Sequence, residues 1–286
     1  MSKPLDDLLK VMTLERLERD LFRGESRDIG SPQVYGGQVL GQALVAASRT
    51  VEERVVHSLH AYFLRRGDFN QPIVYEVDRA RDGRHFSTRR IVAIQHGEQI
   101  FNMSASFQAE ESGLEHQMAM PSVPGPGSLR DLASYYRDLT THASHRVRRI
   151  LEHQWPFDIR PVEPPNDIHP RKLEPFNHVW VRTLGRLPDD ESLHRCLLAY
   201  ISDFTLLTTA TNPHGVVFGG KGLIMASIDH AMWFHRPVRV DEWLLYATDS
   251  PSSSGARGFT RGSVFAEDGR LVASTSQEGL MRLVGP

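Results

Sequence analysis

"LHAYFLRR" (Leu59 to Arg66) and "DHAMWFHR" (Asp229 to Arg236) are two versions of one stretch, each a His-Ala pair followed by aromatic and apolar residues and closed by Arg. They stand 170 residues apart, and "SASFQ" (Ser104 to Gln108) matches "ASTSQ" (Ala273 to Gln277) at an offset of 169. Two separated matches at nearly one offset mark an internal duplication. The segments in between agree in kind. "PIVYEVDRARDGRHFSTRRIVAIQHGEQIFNMSASFQ" reads as three strands, with turns at Asp82-Gly83 and His96-Gly97. "EWLLYATDSPSSSGARGFTRGSVFAEDGRLVASTSQ" reads the same way, with a hairpin turn at Asp268-Gly269.

Upstream of each His-Ala strand the apolar period changes from two to 3.6. In "GGQVLGQALVAASRT" the residues Val39, Leu40, Ala43, Leu44, Ala46 and Ala47 share one face, and small residues such as Gly41 and Ala43 allow close packing on a sheet. In "SLHRCLLAYISDFTLL" the stripe is Leu193, Cys196, Leu197, Tyr200, Ile201 and Phe204. Each half is therefore an apolar helix followed by antiparallel strands, an α+β unit. Nine of the 17 prolines fall between Pro121 and Pro175, and proline removes a backbone donor, so this region is connection rather than sheet interior. The expected organisation is an N-terminal repeat over 1–120, a Pro-rich connection over 121–175 with a helix within Leu129–His153, and a C-terminal repeat over 176–286 that carries the catalytic residues.

The totals exclude some classes of function. Net charge is −2 and the pI about 6.7, so nothing recruits nucleic acid or an anionic membrane; the basic run His145 to Arg149 is too short to change that. Cys196 is the single cysteine, so neither an intrachain disulfide nor a cysteine zinc site is expected. The histidine spacings His57-x-x-His60, His142-x-x-His145 and His230-x4-His235 form no coherent metal-ligand set. The N-terminus lacks the apolar run of a signal peptide, and no stretch of 18 apolar residues suggests a membrane helix. A cytoplasmic protein without metal or redox cofactor is the expectation.

Read in order, "GGQVLGQAL", "HSLHAYFLRRGD", "RDGRHFSTRR", "SASFQ", "ISDF", "SIDHAMWFHRP", "EWLLY" and "SQEGLMR" resemble the acyl-coenzyme A thioesterase II family. The likeness runs from about residue 10 to 283, outside the Pro-rich middle. It implies a double hot-dog fold, with each antiparallel sheet wrapped around a central helix, and hydrolysis of fatty acyl-CoA to free acid and coenzyme A. It also implies a water held by an Asp on the second helix, a Thr or Ser just before Ile-Asp-His, and a Gln near the C-terminus. Those match Asp203, Ser227 and Gln277. Ser227 keeps the hydroxyl of a Thr and lacks the methyl that stiffens its rotamer. By the same resemblance a homo-oligomer, dimer or tetramer, is expected.

The residues bear on that chemistry independently. Asp203 interrupts the apolar "AYISDFTLL", where a carboxylate either caps out to solvent or is held inside for a purpose. The first-half helix contains no carboxylate, which points to one site per chain, in the second half. Burial would raise the Asp203 pKa towards that of a useful general base. Ser227 has no G-x-S-x-G context for a nucleophile. On a regular strand it shares a face with Asp229 while His230 points away, so orienting a water suits it better. Gln277 can donate and accept but cannot take a proton. His60 stands where His230 does in the copy without an acid, which favours a structural role for His230. For the acyl chain, Phe63, Met225, Met232 and Trp233 are candidates, though each could equally be core. For the phosphates of coenzyme A, Arg65, Arg66, Arg89, Arg90, Arg257 and Arg261 are available, with "SSSGARGFTRG" as a loop for that role. A hot-dog enoyl-CoA hydratase or dehydratase and a non-catalytic acyl-CoA-binding protein remain as alternatives.

Overall fold

The computed structural model describes residues 2–31, 33–139, 155–166, 170–217, 220 and 222–284. Helix α1 (Lys3–Met12), strands β1 (Glu15–Glu18) and β2 (Leu21–Gly24), and helix α2 (Gly36–Ser48) open the chain, followed by β3 (Val55–Phe63), β4 (Ile73–Asp82), β5 (Phe86–Gln95) and β6 (Glu98–Gln108). The second half has α3 (Leu132–Leu139), β7 (Phe157–Pro161), β8 (Phe176–Thr183), α4 (Glu191–Ser202) and a 3₁₀ segment, Leu207–His214. It closes with β9 (Leu223–Ser227), β10 (Asp229–Phe234), β11 (Leu244–Ser254), β12 (Arg257–Ala266) and β13 (Leu271–Leu283). Helix α3 lies within the Leu129–His153 segment expected to hold a connecting helix; that segment beyond Leu139, with the basic run His145–Arg149 and the His142/His145 pair, lies outside the described residues.

The described strands form one antiparallel sheet in the order β1-β2-β4-β5-β6-β3-β10-β13-β12-β11-β8-β7, with β9 also on β13. The two halves meet at β3 and β10, where Ala231 stands opposite His60. The turns obey the backbone chemistry of their residues. His96 and Gly97 both have positive φ, the requirement of a two-residue hairpin turn whose twist matches its strands. Gly255 and Ala256 do the same between β11 and β12. "SSSGARG" is therefore a tight hairpin rather than an open loop, and the strands run to its tip.

Helices α2 and α4 lie inside the curved sheet and pack on each other. Neither could be a surface helix, since ten of the 13 residues of α2 and nine of the 12 of α4 are buried. Gly37 permits the contact: a Cβ there would collide with the Tyr200 carbonyl oxygen on α4. Asp190 caps the start of α4, its carboxylate accepting from Leu193 N at 3.1 Å. The helix then stops at Ser202, two residues short of Phe204, the last residue of its apolar stripe. Asp203 is its C-cap, and the side chains of Ser202 and Asp203 both turn to groups on the sheet.

Candidate active site

Three side chains far apart in sequence meet at the C-terminal end of α4. Gln277 on β13 donates from Nε2 to Asp203 Oδ1 at 2.7 Å, and the Ser227 hydroxyl on β9 lies 3.4 Å from the same oxygen. The backbone N–H of Gly37, in the first turn of α2, also donates to the Asp203 carboxylate. The first N–H groups of a helix have no partner within it and carry its positive dipole end, so this placement favours an anion. Gly36 leaves room for the arrangement, because a Cβ there would stand 2.7 Å from Asp203 Oδ2 and 3.0 Å from the Phe63 ring.

The Asp203 side chain is only 6% exposed. Burial pushes its pKa up to about 6, against the opposing pull of the hydrogen bonds from Gln277, Gly37 and Ser227. A carboxylate with that pKa is largely ionised at neutral pH and still basic enough to accept a proton from water. The tyrosines that reach it electrostatically, Tyr35 before α2 and Tyr246 on β11, are themselves raised by burial and remain neutral.

His230 belongs to this cluster. Fully buried, it has its pKa lowered to about 3 by desolvation, so the ring is neutral. Its Nδ1 lies 3.2 Å from Gln277 Nε2 and 3.9 Å from Asp203 Oδ1, and its Nε2 is 3.0 Å from Ser202 Oγ. Asp203 fixes the Gln277 amide with nitrogen toward it, so Nδ1 of His230 must be the acceptor and Nε2 the protonated nitrogen. Ser202 Oγ then accepts from Nε2 and donates to Ala199 O at 2.9 Å. With both amide hydrogens engaged, Gln277 Oε1 is buried and has no hydrogen-bond partner among the described residues. An acceptor kept in that state next to a raised carboxylate is a place for an O–H donor.

The strand reading had put His230 on the face opposite Ser227. The chain departs from it at Ile228, where β9 ends and β10 begins. Ser227 pairs with Gly279 while Ala231 pairs with Ser276, so the register against β13 slips by one residue. The Ile228 N–H donates to Glu278 O, the Asp229 carboxylate accepts from Glu278 N at 2.7 Å, and Ile228 O accepts from Phe63 N. A one-residue slip reverses the parity of every side chain beyond it. Ser227 and His230 consequently face the same carboxylate. His60, the sequence match of His230, is exposed on the outer face of the sheet and packs edge-on against Trp233 at 5.2 Å.

A description of acyl-CoA thioesterases matches residues 147–280, and that of the acyl-CoA thioesterase N-terminal domain matches residues 23–108. Acyl-CoA thioesterase 2 of Haemophilus influenzae is 41% identical over 283 residues, covering 99% of each chain. The chain belongs to the acyl-CoA thioesterase family. An acyl-CoA thioesterase II of Mycobacterium marinum superposes with a TM-score of 0.80 at 43% identity, over 97% of this chain and 99% of that one. A protein from Alicyclobacillus acidocaldarius described as having a hot dog fold superposes at 0.77 with 18% identity, covering 98% and 99% of the two chains. The architecture is the double hot-dog, α+β.

Of the family-derived residues, Asp203, Ser227 and Gln277 are thus brought together. The proposed substrate contacts are dispersed. Met232 is in the core, while its neighbour Trp233 is on the outer face, away from α4. Phe63 is half-buried beside Gly36, close to the carboxylate. Arg65 is exposed and paired with Glu98 at 3.0 Å; Arg257 pairs with Glu278 at 2.9 Å and Arg261 with Asp249 at 2.8 Å. Arg89 is buried, with its five donors taken by Thr50, Arg81, Thr88 and Asp82, so it holds the first repeat together. Sequence reasoning passed over Gly36, Gly37 and Ser202. The paired glycines at the start of an otherwise good helix were the available signal, since glycine there weakens the helix unless something must come close.

Proposed function

We propose that this member of the acyl-CoA thioesterase family hydrolyses fatty acyl-CoA by direct attack of a water on the thioester carbonyl. Asp203 acts as general base, and Gln277 and Ser227 orient the water. The observation that carries this reading is the buried Asp203 carboxylate, pKa about 6, beside the unpartnered Gln277 Oε1.

In the reaction one water proton passes to Asp203 while the water oxygen bonds to the carbonyl carbon. The tetrahedral intermediate then collapses, the C–S bond breaks, and the coenzyme A sulfur leaves as thiol with the proton held by Asp203. One water is consumed, and one acid and one thiol are formed. The positive end of α2 favours the negative charge that develops on the thioester oxygen. Arg65, Arg257 and Arg261 supply positive charge for the phosphates; each is exposed and paired only at the surface, where such pairs are weak and exchange readily. Met232 and Trp233, the two proposed acyl-chain contacts, lie on opposite faces of β10, Met232 toward the core and Trp233 outward. The reading includes a homo-oligomer, dimer or tetramer, a cytoplasmic location, and repeats bounded near residues 120 and 176. No helix among the described residues is long and apolar enough to cross a membrane.

Release of free thiol from acyl-CoAs of several chain lengths tests the proposal. Wild type should turn over, and Asp203→Asn should lower kcat roughly 10²–10⁴-fold, the scale of losing a general base. A folded wild type that releases no thiol from any acyl-CoA would sink the thioesterase reading. Turnover that Asp203→Asn leaves intact would remove Asp203 from its role.

A further inference from the structure

We infer that His230 is a positioning residue for hydrolysis: its ring holds the Gln277 amide in the one orientation that turns Oε1 toward the reacting water. The inference rests on the assignment of Asp203 and Gln277 as the groups that hold that water.

A glutamine amide has two orientations of almost equal shape and opposite hydrogen-bonding character. While Asp203 is ionised, its Oδ1 holds the nitrogen end at 2.7 Å. That preference vanishes at the moment it is needed. Once Asp203 has taken the proton it can either accept from the amide's nitrogen end or donate to its oxygen end, and a turned Gln277 would present N–H groups to the reaction centre instead of an acceptor. His230 keeps the choice made. Its Nδ1 lone pair accepts the second amide hydrogen at 3.2 Å; it is a lone pair because Ser202 Oγ gives its only proton to Ala199 O and so must accept the ring proton from Nε2 at 3.0 Å. Ser202 passes the constraint to Ala199 O, one turn back on α4. One helix end thus anchors both the base and, through Ser202 and His230, the amide.

The surroundings keep the ring in this state. The titratable groups that reach Asp203 and His230 are Tyr35, entering α2, and Tyr246 on β11, whose hydroxyl bonds to Ser202 O at 3.0 Å and to Thr275 Oγ1 on β13 at 2.8 Å. The groups given by β9 and α2 are the Ser227 hydroxyl and the Gly37 amide, neither of which titrates. The imidazole therefore stays neutral while the carboxylate gains and loses its proton.

Two variants separate positioning from packing. His230→Leu fills the space without an acceptor; it should lower kcat about 10²-fold, the cost of a misplaced reacting group, with KM for acyl-CoA unchanged. It should also move the acidic limb of the kcat profile upward by roughly one pH unit, because Asp203 loses a steady donor. His230→Asn can offer its Oδ1 to the Gln277 amide, and should recover most of kcat and restore the limb. A folded His230→Leu with wild-type kcat and limb would overturn the inference, as would Leu and Asn variants equally slow with an unmoved limb. If His230→Leu does not fold, His230→Asn decides alone: retention of kcat within about tenfold and of the wild-type limb supports the role, and a larger loss with an unmoved limb rejects it. Asp203→Asn, measured alongside, distinguishes the two levels. Full activity there removes the base on which the inference stands, whereas its loss beside an unaffected His230→Leu removes the positioning role only.

Discussion

Replacing Asp203 by Asn should stabilise the protein at pH 8 and, at pH 4, leave its stability unchanged or lower it by about 1 kcal/mol. The group ionises near its ordinary 3.8 in the unfolded chain and at about 6 in the folded one. Between those values the folded state holds a proton that the unfolded state has released, so stability falls as the pH rises through that window. The loss is complete above pH 6. Two pH units at about 1.4 kcal/mol each make about 3 kcal/mol. Asn carries no charge and escapes this loss. It gives back about 1 kcal/mol if its NH₂ turns toward the Gly37 amide, which the carboxylate now satisfies. The net gain at pH 8 is therefore about 2–3 kcal/mol, or roughly 5 °C in Tm for a chain of this size. Differential scanning calorimetry of both proteins from pH 4 to 8, at one protein concentration, measures it. A Tm difference that does not change with pH, or an Asn variant less stable at pH 8, would refute the reasoning, because the carboxylate would then not be held at a cost. The expected result is a protein that gains stability as it loses turnover, the usual relation at a strained catalytic group.

Thiol release by wild type should fall away below pH 6 as Asp203 is protonated, and the limb should vanish in a pH profile of Asp203→Asn. The two site glycines should differ in kind. Gly37→Ala meets backbone on α4 and should cost about 1–3 kcal/mol by chemical denaturation, whereas Gly36→Ala meets the movable ends of Asp203 and Phe63 and should fold while losing kcat. Arg261→Ala breaks only an exposed pair with Asp249, so its stability should stay within about 0.5 kcal/mol of wild type. A rise in KM with acyl-CoA but not with a phosphate-free thioester would place Arg261 at the coenzyme A phosphates.

The duplication and the two buried helices were legible because apolar period survives divergence, and the turns His96-Gly97 and Asp268-Gly269 because positive φ demands particular residues. The convergence of Asp203, Ser227 and Gln277 was legible only through family likeness; nothing in the spacing of residues 203, 227 and 277 brings them together. The face of His230 was misread for a definite reason. Its match to His60 is real in sequence, but the slip at Ile228 and the register shift in β3 between Val56 and Ser58 change which face each strand residue occupies. A bulge inserts no recognisable residue type, so alternation cannot report it. The Gly36-Gly37 pair was opaque for another reason: what it makes room for lies more than 160 residues away, on the other half's helix.

The reach of the Gly37 amide across to Asp203 bears on why the two repeats share a chain. Each repeat holds something the other lacks: the second has the acid and the hydroxyl, and the first has the helix start that meets the acid's charge. Two identical repeats paired about an axis would carry two copies of every part and would have to bury two carboxylates. Joined in tandem, the copies are free to differ, so one can shed its acid and keep its helix end. The peptide link fixes the stoichiometry of that division of labour at one to one, whatever the protein's concentration.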